Sequence, residues 1–105
     1  MADDAIDTWA VPAPPPFDAA ASLVALRRQL RELKPLAESG AGARFEVRGQ
    51  SVIELAAADG RIDARLARRP ARATEWSDHP ITNAAALRRF VDDVRQRLPR
   101  WERDE

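Results

Sequence analysis

Residues 44–72 read RFEVRGQSVIELAAADGRIDARLARRPAR, and apolar and charged side chains alternate along most of the run. A period of two sends successive side chains to opposite faces of a strand, so each run is half-buried. Phe45 and Val47 oppose Glu46 and Arg48, and the pattern repeats at Ile53, Leu55 and Ala57 and again at Ile62, Ala64 and Leu66. Asp59-Gly60 separates the last two runs and predicts a two-residue type I′ turn. Its register pairs Ala57 with Ile62, Leu55 with Ala64 and Ile53 with Leu66. All the apolar positions then share one face, and Glu54 stands opposite Arg65 on the other. In the first hairpin a two-residue turn at Gly49-Gln50 would set Glu54 against Phe45, so a three-residue loop of Gly49, Gln50 and Ser51 is expected. That loop pairs Val47 with Ile53 and Phe45 with Leu55, and makes neighbours of Glu46 and Glu54.

A helix-period segment lies on each side of this stretch. Asp18 stands at an N-cap position, and Ala19, Leu23, Leu26, Leu30, Leu33 and Ala37 follow at spacings of four and three, drawing one apolar stripe. Pro35 removes a helical hydrogen bond and disfavours helix geometry at Lys34, so the helix is expected to end or kink there, with Gly40 and Gly42 closing the element. Beyond the strands, Pro70 marks a turn or sheet edge. Arg72, Thr74 and Trp76 then alternate with Ala73 and Glu75, as in a short fourth strand carrying Trp76 inward. Asn83 or Thr82 caps a second helix with Leu87, Phe90, Val91, Val94 and Leu98 on its apolar face. Arg88 with Asp92, Arg89 with Asp93 and Asp93 with Arg97 are spaced four apart on its solvated side. Pro99 is expected to stop this helix, and Trp101 to cover the open end of the core.

The predicted fold is a two-layer α+β domain, αβββ(β)α, with an antiparallel meander of three or four strands and both helices on one face. Its core is expected from Leu23, Leu26, Leu30 and Leu33 of the first helix, Phe45, Val47, Ile53, Leu55, Ile62, Leu66 and Trp76 of the strands, and the apolar face of the second helix. The domain spans residues 17–105. Ahead of it, residues 1–16 read as a disordered, acidic, proline-rich arm ending in Val11-Pro12-Ala13-Pro14-Pro15-Pro16, a stiff spacer. Ile6 and Trp9 are the large apolar side chains of the arm; they either dock on the domain or form a linear motif for another protein.

The chain has 105 residues and no cysteine, so it has no disulfide framework, thiolate metal site or cysteine nucleophile. Neither a signal peptide nor an apolar run of about 20 residues is present, and a cytoplasmic protein that does not enter membranes is expected. Lys34 is the one lysine among 17 basic residues. In this arginine and alanine bias the chain resembles the small proteins of GC-rich proteobacteria such as Burkholderia, a likeness of composition that implies no activity. Residues 1–26 carry four aspartates and no base, whereas residues 27–74 carry eleven bases against six acids. The arm can therefore lie against the basic middle of its own chain and compete with outside anions.

Ser77-Asp78-His79 contains the residue types of a hydrolytic triad, but adjacency in sequence does not build one, and a capped turn before a helix explains the run. His79 is the sole histidine, and Gly40-Ala41-Gly42 joins a helix to a strand, the reverse of a phosphate-binding loop. No catalytic residue, cofactor or metal ligand is assigned, and the chain is read as no enzyme.

The order αβββα from about Asp18 to Leu98 resembles the double-stranded RNA-binding domain. That resemblance implies lysines at the start of the last helix and a histidine-bearing first hairpin. Here those positions hold Asn83-Ala84-Ala85-Ala86 and Gly49-Gln50-Ser51. A second route to nucleic acid is an outward sheet face gathering Arg48, Arg61, Arg65 and Arg69, diluted by Glu46, Glu54 and Asp63 and without aromatic residues for stacking. The function expected first is a non-enzymatic protein interaction or self-association module, using Trp9, Val52 and the four arginines; RNA binding through that sheet face is the alternative.

Overall fold

The computed structural model describes residues 17–40 and 43–103. The arm expected over residues 1–16, Trp9 and Gly42 lie outside them. Helix α1 (Ala19–Arg31) precedes β1 (Ala37–Ser39), β2 (Arg44–Val47), β3 (Gln50–Ala58), β4 (Arg61–Ala67) and β5 (Trp76–Asp78), and helix α2 (Ala84–Arg103) closes the order. The strands form one antiparallel sheet in the order β1-β2-β3-β4-β5. Both helices pack on one face of it, giving the expected α+β class with five strands rather than three or four.

The second hairpin has the predicted register, with Ala57 opposite Ile62, Leu55 opposite Ala64 and Ile53 opposite Leu66. Its turn type differs. Only Gly60 has a positive φ, 68°, whereas a type I′ turn needs both central residues there. The first hairpin departs further. Val47 pairs with Gln50, so the loop is Arg48-Gly49, with φ of 53° and 80°. This loop alone would turn Ile53 away from Phe45. A bulge between Phe45 and Glu46 leaves Val52 as an extra residue on β3 and restores the pairing of Phe45 with Ile53. Val52 and Ile53 are consequently both fully buried, and Arg44, not Glu46, stands opposite Glu54.

Helix α1 starts as expected, with Asp18 Oδ1 accepting from the Ala21 amide at 3.0 Å. It ends at Arg31, ahead of Pro35, and Ala37 opens the unanticipated strand β1 instead of extending the apolar stripe. Leu36 fills the core in its place. Glu38 ties β1 to the helix by accepting from Arg27 Nε at 3.0 Å and Arg31 at 3.3 Å.

Strand β5 begins at Trp76 rather than occupying residues 72–76. Trp76 pairs with Ala67, one position past the inward Leu66, so it stands on the outer face rather than inward, partly buried against the edge of the core, and the face expected to lack aromatic residues has one. Leu23 and Leu33 are only partly buried. The other expected core positions are buried, joined by Val52, Ile81 and Trp101.

Helix α2 is capped by Asn83, whose Oδ1 accepts from Ala86 at 2.7 Å. Pro99 does not stop it. A proline inside a helix removes one hydrogen bond and costs about 3 kcal/mol, and tertiary contacts hold the last turn against that loss. Trp101 is 1% exposed, and its indole donates to the Arg68 carbonyl at 3.3 Å. Of the expected ion pairs on this helix, Arg97 with Asp93 is present at 3.8 Å, while Asp92 meets Arg95 rather than Arg88.

Candidate functional site

The outer face of the sheet is covered by neither helix. Across it the register aligns Arg44, Glu54, Arg65 and Asp78, one from each of β2 to β5, in a row of alternating sign. Arg65 is the centre of this row, 3.1 Å from Glu54 and 3.5 Å from Asp78, with its guanidinium 5.1 Å from the centre of the Trp76 ring. Beside the row, Arg61 donates to Asp63 at 2.7 Å, and that carboxylate raises the arginine's pKa further above its already high ordinary value. Arg44, Arg61 and Arg65 thus share the face with Glu46, Glu54, Asp63 and Asp78. Ala56 is the exposed floor of a shallow hollow of ≈ 410 Å³ rimmed by Arg44, Glu54, Asp63 and Arg65.

Two of the expected contact residues lie elsewhere and a third leaves the sheet. Val52 is a core residue, for the bulge turns it inward. Arg48 reaches the end of α2 and donates to the carbonyls of Glu102 at 2.8 Å and Trp101 at 3.0 Å. Those carbonyls have no helical partner, so Arg48 satisfies the helix terminus and complements its dipole. Arg69 lies beyond β4 in the 68–75 loop, separate from Arg61 and Arg65.

That loop makes a second surface that the sequence reading missed. The Arg68 amide donates to the Glu75 carbonyl at 2.8 Å, and the Arg69 amide to Thr74 Oγ1 at 3.2 Å, so the loop closes on itself. Trp101 fastens its base to α2 through the Arg68 carbonyl. Between loop and helix runs an open cleft of ≈ 580 Å³ lined by Arg68, Arg69, Ala73, Thr74, Glu75 and Arg100. A smaller hollow of ≈ 310 Å³ shares Arg68 and Arg100 with it and extends to Arg97. The Arg68 to Glu75 ion pair, at 3.2 Å, is 75% and 80% exposed and therefore weak. Among the described residues Arg69 and Arg100 form no ion pair. One signal was readable: Arg97, Arg100 and Arg103 recur at every third position, on one side of a helix.

Comparison with protein-family models, with curated proteins and with solved structures finds no match.

The Ser77-Asp78-His79 run is not the turn expected, since Ser77 and Asp78 belong to β5. Ser77 Oγ lies 2.7 Å from His79 Nε2, and His79 Nδ1 lies 4.0 Å from Asp93, not Asp78. A gap of 4.0 Å is too long for the hydrogen bond that orients a catalytic imidazole, and Ser77 stands on an edge strand rather than on a strained turn. Among the described residues no group of three or more His, Asp or Glu side chains is placed to hold a metal ion, and no helix is long and apolar enough to cross a membrane.

Proposed function

We propose that this domain is a non-enzymatic interaction module that associates with a second copy of itself through the outer sheet face, in the cytoplasm. The observation that carries the reading is the row Arg44, Glu54, Arg65, Asp78. Read in reverse, plus-minus-plus-minus becomes minus-plus-minus-plus. Two faces related by a two-fold axis therefore set each arginine over a carboxylate, as an isologous interface requires. The small exposed side chain of Ala56, among Arg44, Glu54, Asp63 and Arg65, permits close approach. Nucleic-acid binding through this face is disfavoured, because its three arginines share it with four carboxylates.

The magnitude of association follows from size. A five-stranded sheet with strands about 4.8 Å apart is about 20 Å wide, and offers on the order of 500 Å² per copy against the ~800 Å² of a standard interface. A weak, concentration-dependent dimer is expected. Sedimentation across a concentration series tests this with Arg65→Glu, which places like charges at the middle of the row, and with the swap Glu54→Arg/Arg65→Glu, which restores self-complementarity. Dimer lost in the first and recovered in the second supports the reading. A parent that stays monomeric at millimolar concentration refutes self-association and leaves a different protein as the occupant of the face.

A further inference from the structure

The arginine cleft asks for a ligand of its own. Arg68, Arg69 and Arg100 converge on it, and among the described residues Glu75 is the sole carboxylate of the lining, an excess of two positive charges. Like charges held together repel, and here the relief is partial: Glu75 pairs with Arg68 through an exposed, weak contact, while Arg69 and Arg100 form no ion pair among the described residues. Thr74 accepts the Arg69 amide through its hydroxyl oxygen and keeps its own O–H to donate. Among the described residues Ala73 is the one apolar side chain of the lining, and it is too small to seat a hydrophobic anchor. The adjoining hollow prolongs the positive track through the shared Arg68 and Arg100 to Arg97, although Asp93 partly neutralises that end.

Guanidinium forks bind phosphate oxygens in bidentate fashion, and an elongated positive track fits a ligand with several phosphates in line. We infer that the cleft between the 68–75 loop and the C-terminal half of α2 binds an oligophosphate chain, with Arg68, Arg69 and Arg100 on the phosphates and the Thr74 hydroxyl as an additional donor. The inference does not rest on association through the sheet, since Arg69 and Arg100 lie off that face.

Calorimetric titration of the full chain with inorganic tripolyphosphate at low salt tests it, beside titrations with ATP, with inorganic monophosphate and with a long RNA. Tripolyphosphate is expected to bind well above monophosphate and to weaken steeply as salt rises from about 50 to about 200 mM. Arg69→Gln/Arg100→Gln is expected to lower that affinity by about tenfold or more, whereas Arg65→Gln leaves it unchanged. ATP binding as tightly as tripolyphosphate identifies the phosphates alone as the recognised group, and tighter ATP binding adds a nucleoside contact; either supports the inference. Three results overturn it: no tripolyphosphate binding, equal loss in both variants, or binding confined to long RNA, which would signal a general polyelectrolyte effect.

Discussion

The outer sheet face and the cleft beside α2 are both rich in arginine, yet they hold charge in opposite ways. On the sheet the strand register delivers a carboxylate to each side of Arg65, and Asp63 two residues along β4 meets Arg61, so both arginines of β4 are matched before any partner arrives. In the cleft a loop and a helix end, about 30 residues apart in sequence, bring Arg68, Arg69 and Arg100 together with Glu75 between them. Counting arginines along the chain does not distinguish these cases. The local balance of charge does, and it makes one surface suited to a copy of itself and the other to an anion.

The largest expected effect tests which residues belong to the sheet face at all. Val52→Asp buries a carboxylate among Phe45, Ile53 and the helices, and should cost several kcal/mol, enough to unfold most of the population. Ala56→Asp, on the exposed floor, should change stability by less than about 0.5 kcal/mol. Equal denaturant midpoints for the two variants would show that the bulge does not turn Val52 inward.

Next in size is Arg48, removed from the face by its bonds to the end of α2. Arg48→Ala should lose about 1 to 2 kcal/mol, since two charge-assisted bonds to terminal carbonyls go with it, and amide exchange should quicken in the last turn of α2 before the rest of the helix. Uniform quickening would mean that the arginine does not act at that terminus.

The smallest effects separate the two surfaces by sign. Arg65→Glu removes a partly exposed pair and sets like charges across β3, β4 and β5, for a loss of about 0.5 to 1 kcal/mol. Arg69→Gln relieves repulsion in the cleft, and its chemical denaturation should match or slightly exceed the parent's. A clear loss of stability in Arg69→Gln would show that Arg69 already has a partner.

The legibility of these regions in sequence follows from how local their causes are. The hairpin through Asp59-Gly60 was readable because alternation on both sides of a two-residue turn permits one register that keeps Ile53, Leu55, Ile62 and Leu66 on one face. The neighbouring hairpin was misread because a bulge breaks that alternation; the adjacent apolar pair Val52-Ile53 was its only trace. Ala37–Ser39 is too short to show a period, and its pairing with β2 depends on the path of the chain after α1. Pro99 misled for a different reason. Propensity set the helix end before it, while the burial of Trp101 and the reach of Arg48 from another hairpin carry the helix on to Arg103. The cleft, assembled from a loop and a helix end, left no local pattern beyond the spacing of Arg97, Arg100 and Arg103.

The contrast between the charge-balanced face and the arginine-rich cleft can be read in a single titration. Arginine Nε–H resonances of the full chain, followed by nuclear magnetic resonance as tripolyphosphate is added at low salt, report each guanidinium separately. The expected result is that the signals of Arg68, Arg69 and Arg100 move and saturate together while those of Arg61 and Arg65 stay in place. Equal movement of Arg61 and Arg65 with the cleft arginines, or no movement of any, would contradict the division of the molecule into a self-matched face and an anion-seeking cleft.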